Sequence, residues 1–427
     1  MNVWALAPGH RRCHHERGLR ELKFMSASDR SARLAIGFSC VGHSYSHLFA
    51  PIFFVAVLAL EKDLGLTHGE AVALIVVGSA LFGFAAPLAG WLGDRWSATK
   101  MMALFFFGTG AGMVATAYAR TPFEISLALS VTGLFASIYH PVGVAWLVRN
   151  AVNRGTALGL NNMFGSFGPA AAALMAGGLI DWLGWRAAFL WPGLLVVLTG
   201  FAFLALVARG AIVEMKADRR PYAPASREDA TRALVVLFFT ILCSSLVYQA
   251  TQPAIPKLFS ERVMGTEGGV LGVSALVALV YGLAGMLQIA AGKISDIYPP
   301  RRVYTLGFLI QAPILLLAAF ADGLAIVAVI FVSVFVNIGS TTAENVLFAR
   351  YTPGRWRSFA FGLKFIVALG IAAIGIRIEG WLYDATGGFQ VLFMFLAAVV
   401  LIGMAATLFV PEDKASAKPA PEMQPAE

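Results

Sequence analysis

The sequence predicts an all-α membrane protein of twelve transmembrane helices arranged as two parallel six-helix repeats. Three observations carry this. The 427 residues are 58% hydrophobic and only 13% charged, with mean hydropathy +0.74, whereas soluble domains carry about 25% charged residues. Twelve apolar runs are long enough to cross a hydrocarbon core, which takes about 20 residues each. Polar landmarks of the first six runs recur in the last six at a nearly constant offset. In lipid such runs must be helical, because each backbone N–H and C=O needs a partner within its own segment.

The runs lie at 33–60, 70–93, 101–119, 123–148, 156–180 and 187–209, then at 233–255, 269–292, 303–321, 323–348, 359–381 and 388–410. Short charged or turn-forming stretches separate them. The one long polar connection, 210–232, contains Lys216, Arg219, Arg220, Pro221, Pro224 and Arg227. It divides the chain into a 33–209 bundle and a 233–410 bundle. Residues 1–32 are basic and lack an apolar core, so they form a tail and not a secretory signal; Met25 is an alternative start. Residues 411–427 are rich in Pro, Ala and Glu, a composition expected to be disordered.

The charge of +8 reads as topology. Odd-numbered connections hold five Lys or Arg: Lys62, Arg120, Arg186, Lys257 and Arg262. Even-numbered connections hold sixteen, the N-terminal stretch through Arg33 seven and the C-terminal tail two. Positive residues stay on the cytoplasmic side, so both termini are expected there, in a cell inner membrane. A nucleic-acid role is not needed to explain the charge.

The duplication shows in three pairs. Gly90-x-x-x-Asp94 after the second run matches Gly292-x-x-x-Asp296 after the eighth, at an offset of 202. Arg154-Gly-Thr-Ala-Leu-Gly159 matches Arg357-Ser-Phe-Ala-Phe-Gly362, and Asp181 matches Asp384, both at 203. Parallel six-helix repeats joined by a cytoplasmic loop are a transporter plan in which two halves rock about a shared site.

Gly90-Trp-Leu-Gly-Asp94-Arg95, with Lys100 beyond, resembles the signature loop of the major facilitator superfamily, a likeness extending over about 33–410. Ser97 stands where that family usually has Gly, Ala98 and Thr99 replace basic residues, and Ile297 follows Asp296 in the second copy. The resemblance implies a cytoplasmic gate of Gly90, Asp94, Arg95, Gly292 and Asp296, with Asp94 as latch carboxylate and Arg95 as its basic companion. It also implies that the first, fourth, seventh and tenth helices line the central cavity.

Ionisable and amide groups inside spans are costly and mark function by default. His43 and His47 lie in the first run, His140 in the fourth, Tyr248, Gln249 and Gln252 in the seventh, Glu344 and Asn345 in the tenth, and Lys364 in the eleventh. These nine are the expected substrate and proton cavity. At about 1.5 Å per residue, His43 and His140 lie roughly 13–15 Å deep, while Glu344 and Lys364 lie roughly 9–10 Å deep, where the two can pair or Lys364 can snorkel to the interface. Arg377 and Glu379 read as interfacial. His43 and His47 share a helix face, which suits a metal pair, a hydrogen-bonded structural role or proton handling; no third ligand is evident in the sequence, so no metal is expected. Cys40 and Cys243 read as small buried residues, and His10, Cys13, His14 and His15 as part of the tail.

Within the superfamily, Ser46-His47-Leu48 and the stretch from Gly133 through His140-Pro141 to Gly165-x-x-Gly168-Pro169 are similar to the fosmidomycin-resistance-type exporters. Val142 replaces that family's acidic residue, and Phe49, Ala50 and Pro51 replace its polar pair. The Gly-Pro segment favours efflux or simple close packing. The expectation is a monomeric secondary transporter, a proton-driven exporter of a drug-like or weakly charged solute, with uptake of a small organic acid or nutrient as the alternative. No cofactor is expected beyond the proton gradient. An ATP-driven pump lacks its Gly-x-x-x-x-Gly-Lys-Ser/Thr loop, and a membrane-embedded enzyme would have only the histidines to work with.

Overall fold

The computed structural model describes residues 27–151, 154–213, 227–263, 269–352 and 357–411. The tail residues 1–26 and 412–427, most of the central connection and the side chain of Asp296 lie outside the described residues. Within them the chain forms twelve helices, several of them broken. The first half contains α1 (Ala27–Ser46 and Phe49–Leu64), α2 (His68–Ala73, Val76–Phe84 and Ala86–Arg95), α3 (Ala98–Tyr118), α4 (Pro122–Ala136, a π-turn Tyr139–Gly143, and Val144–Asn150), α5 (Arg154–Leu183) and α6 (Trp185–Ala208). The second contains α7 (Arg227–Arg262), α8 (Gly269–Ile297), α9 (Pro300–Phe320), α10 (Gly323–Tyr351), α11 (Arg357–Gly370 and Ala372–Thr386) and α12 (Gln390–Thr407). Eleven helices are long and apolar enough to span a membrane singly, and the bent α2 makes twelve. Two boundaries move from expectation. α1 begins at Ala27, inside the expected tail, and α7 at Arg227, inside the expected connection.

The breaks have local causes. Proline lacks the N–H that a helix needs four residues back. Pro51 leaves the carbonyl of His47 without its donor, and the chain tightens there: His47 and Leu48 N–H groups bond Ser44 and Tyr45 carbonyls, each at 3.1 Å. Pro141 does the same to Ser137, and α4 widens into the π-turn that carries His140. π-turns recur at functional sites. Both interruptions thus fall on the histidines.

Outward-facing side chains are apolar, as lipid contact demands. Aromatic residues collect at the helix ends: Tyr118, Phe123, Trp182 and Trp381 near one face and Trp91, Trp96, Tyr298 and Phe409 near the other, all exposed. That pattern is the interfacial aromatic belt. The face bearing the α6–α7 connection and both chain ends is called here the terminus face, the other the far face.

Each half packs an equivalent outer pair, α3 on α6 and α9 on α12. Two seams, α5 against α8 and α2 against α11, join the halves and exchange under the repeat symmetry. Small residues permit both. A Cβ on Gly83 would run into the backbone of Gly370, one on Gly380 into Gly69, and one on Gly177 into Ser274.

Candidate functional site

The far-face ends of the two seams are closed by the same device. The Asp181 carboxylate, at the end of α5, accepts from the N–H groups of Val270 and Leu271 (3.1 and 2.8 Å) at the start of α8. The Asp384 carboxylate, near the end of α11, accepts from Gly69 N–H (3.0 Å) and Thr67 Oγ1 (2.7 Å) at the start of α2. A carboxylate at a helix N-terminus satisfies orphan donors and meets the positive end of the dipole. The Asp181/Asp384 register is therefore a pair of cross-half caps.

Beside Asp384 lies a buried ionic network. His68 Nδ1 is 2.7 Å from Glu61 Oε1 and Nε2 is 2.8 Å from Glu379 Oε1. Glu61 also pairs with Lys257. Glu61 and His68 belong to the first half, Lys257 and Glu379 to the second, so the network crosses the seam twice. Glu379 is wholly buried, which corrects its interfacial assignment, and its Oε2 has no partner. Tyr383 packs edge-on against His68 and donates to Glu261. Neutral imidazole has one N–H, and carboxylates only accept. Bridging both carboxylates requires an additional proton, on the ring or on a carboxyl.

Below this closure a cavity of about 40 Å³ lies between the halves, lined by Ser46, His47, Phe54, Ser79 and Phe82 on one side and Tyr248, Gln249, Gln252, Leu369 and Ile376 on the other. It has room for a few waters. Its polar groups are oriented: Gln252 Nε2 donates to Tyr248 Oη (3.3 Å), and Gln249 Nε2 donates to the Ala368 carbonyl (3.2 Å) near the break in α11. α1, α2, α7 and α11 form this cavity, so α4 and α10, implied as lining helices, do not reach it.

His140 instead meets His47 from behind the cavity wall. The rings of His43, His47 and His140 lie with centroids 5.2–5.4 Å apart. His43 Nδ1 hydrogen-bonds the Asn161 carbonyl at 2.8 Å, and its ring stacks on Tyr139. His140 stacks on Phe365 of the opposite half. The third imidazole that the sequence left unseen is thus His140, 93 positions beyond His47.

In the second half Glu344 and Lys364 form a buried ion pair at 2.8 Å. Tyr304 and Ser244 hydroxyls donate to Glu344 (3.2 and 3.4 Å), and Lys364 also donates to Asn345. Lys364 therefore pairs and does not snorkel. Removing one partner of such a pair costs about 3–5 kcal/mol, because the other charge stays buried.

At the terminus face Asp94 accepts from Arg149 Nη2 at 2.7 Å, a contact from α2 to α4 within one half. Arg95 lies over the Trp91 ring. Gly90 lets α2 approach Pro141, while Gly292 faces open space. Polar contacts between described residues of the two halves include the far-face set above and Ser166 to Gln288 (2.9 Å) near mid-seam. Glu61 and His68 went unremarked in the sequence, Lys257 counted only toward topology and Glu379 read as interfacial, because all four sit at run ends on one face.

Two six-helix bundles related by internal symmetry, enclosing a polar cavity and sealed at one end, define a membrane transporter and no enzyme. The profile of the Major Facilitator Superfamily matches residues 38–281 and 237–426. The chain belongs to that superfamily of secondary transporters. It is 23% identical to the fosmidomycin resistance protein of Escherichia coli (strain K12), covering 91% of this chain and 96% of that one. It is 22% identical to the probable L-galactonate transporter of the same organism, over 83% and 84%. The puromycin resistance protein pur8 of Streptomyces alboniger is 29% identical over a stretch covering 31% of this chain and only 27% of that protein. In fold the chain is similar to a bacterial homolog of the human lysosomal transporter Spinster, in an inward-facing and occupied conformation, with TM-score 0.68 and 14% identity over 89% and 94% of the two chains.

Proposed function

We propose that this transporter is a proton-coupled exporter of a weakly charged, drug-like solute in the cell inner membrane, with both termini cytoplasmic. The Lys/Arg excess supports the orientation, which makes the far face external and the described state closed on that side. His43, His47, His140, Tyr248, Gln249, Gln252, Glu344, Asn345 and Lys364 form the polar interior, and Gly90, Asp94, Arg95, Gly292 and Asp296 the cytoplasmic gate.

The observation that carries proton coupling is His68 between Glu61 and Glu379. Closing the external face assembles one imidazole and two carboxylates from opposite halves and takes up a proton to satisfy them. Lys257, Glu261, Tyr383 and Asp384 face the same network and bias it without replacing that proton. External acid then favours resetting to the cytoplasm-open state, the step an exporter must drive.

The solute class follows from charge. Lys364 is neutralised by Glu344, and among the described residues no Lys or Arg lines the cavity, whose walls are aromatic, amide, hydroxyl, imidazole and apolar. That argues against an organic acid. Uptake of such an acid is the second reading, favoured by the likeness to the probable L-galactonate transporter. Purified protein in proteoliposomes with an acidic lumen and a lumenal pH dye separates the two. Puromycin added outside should raise lumenal pH by exchange for protons. L-galactonate producing proton movement while puromycin does not would establish the uptake reading instead.

A further inference from the structure

The cluster of His43, His47 and His140 is larger than proton handling requires. One ring nitrogen from each comes within 4.8 Å of the others. No carboxylate joins them, and three cationic rings at that spacing repel one another strongly. Neutral imidazoles are instead ligands for Zn²⁺ and similar ions. Three features match such a site. His43 Nδ1 faces a backbone carbonyl at 2.8 Å, which only accepts, so Nδ1 carries the proton and Nε2 the lone pair. An outer-shell carbonyl fixing a ring's tautomer is a recurring companion of metal ligation.

The second feature is rigidity behind that carbonyl: Asn161 Nδ2 donates to Tyr139 Oη (2.7 Å), which donates to the Ser39 carbonyl (2.8 Å). The third is His140, whose Nε2 is buried with no hydrogen-bond partner. The helix breaks at Pro51 and Pro141 hold the rings at one level. Zinc–nitrogen bonds of about 2.0–2.1 Å require each donor to move inward by less than about 1 Å.

From this geometry we infer that His43, His47 and His140 form a three-histidine binding site for a divalent transition-metal ion of the Zn²⁺ type. His47 also lines the cavity, so water or a metal-binding group of the solute would supply the fourth ligand of the tetrahedron. The inference goes beyond proton-coupled export and stands or falls separately from it.

Cobalt is a spectroscopic stand-in for zinc. Full-length protein carrying H10A, C13A, H14A and H15A, which removes the other histidine- and cysteine-rich segment, would be stripped with chelator in detergent and titrated with Co²⁺. One equivalent should give the intense visible bands of tetrahedral cobalt, displaced by Zn²⁺. H47A and H140A in that background should each weaken binding by at least about 100-fold, the upper end of the losses seen for outer-shell changes. Zn²⁺ should also raise the melting temperature of the parent, a readout that does not depend on the variants folding. Absent bands with no Zn²⁺ shift in the parent, or bands that persist in both folded variants, would overturn the site.

Discussion

The Asp181 cap and the Asp384 cap occupy the same place in the two repeats, yet they differ in what surrounds them. Each carboxylate closes the far face by accepting from the first turn of a helix in the other half. Only the Asp384 seam adds Glu61, His68, Lys257 and Glu379. Duplication supplied two mechanical closures, and one of them acquired an ionic lock whose satisfaction depends on a proton. Strength of closure and response to pH are therefore separable, and substitutions should divide them.

The largest effect is expected from H68A. It leaves Glu379 buried without the imidazole that pairs with it, a loss of about 3–5 kcal/mol that opening the far face relieves. Cysteine accessibility across that face should rise sharply. K364A is the matched control: it strands Glu344 within one half, so about the same 3–5 kcal/mol should appear as lowered thermal stability with unchanged far-face accessibility. If K364A opens the face equally, the ionic lock has no special coupling to closure.

Next in size is the proton itself. Far-face closure in the unsubstituted protein should strengthen as pH falls, because the closed network holds the extra proton. In D181A that slope should persist, and in E379Q, whose amide can donate to neutral His68 without an added proton, it should vanish; hydrogen exchange at the start of α2 reads it. A flat pH response in the parent would leave both seams purely mechanical. D181A and D384A should each weaken closure by about 0.5–2 kcal/mol, the value of an N-cap, seen as equal gains in exchange at their partner helices. Smallest is D94A. Its pair with Arg149 is largely exposed and lies within one half, so thermal stability should change by no more than about 1 kcal/mol.

Much of this was legible in the sequence. Span number, the two-repeat plan and the Asp181/Asp384 register follow from hydropathy and offset, since lipid leaves the backbone no alternative to helix. Depth arithmetic brought Glu344 and Lys364 to one level. The lock was hidden for a physical reason. Glu61, His68, Lys257 and Glu379 sit at helix ends, where charge is cheap and signals an interface. Their partners lie up to 311 residues away, and only the α2–α11 seam brings them into a closed interior. The histidine cluster was half visible: His43 and His47 share a face by periodicity, but bringing His140 to them depends on the α1–α4 packing.

The central claim is that a proton on the His68 network closes the far face. Spin labels at F123C and L324C, on exposed far-face ends of α4 and α10 in opposite halves, would report it by pulsed double-resonance distances across a pH series. The account predicts a short-distance population that grows as pH falls and is lost in H68A. Distance distributions that are the same at every pH, or unaltered by H68A, would contradict it.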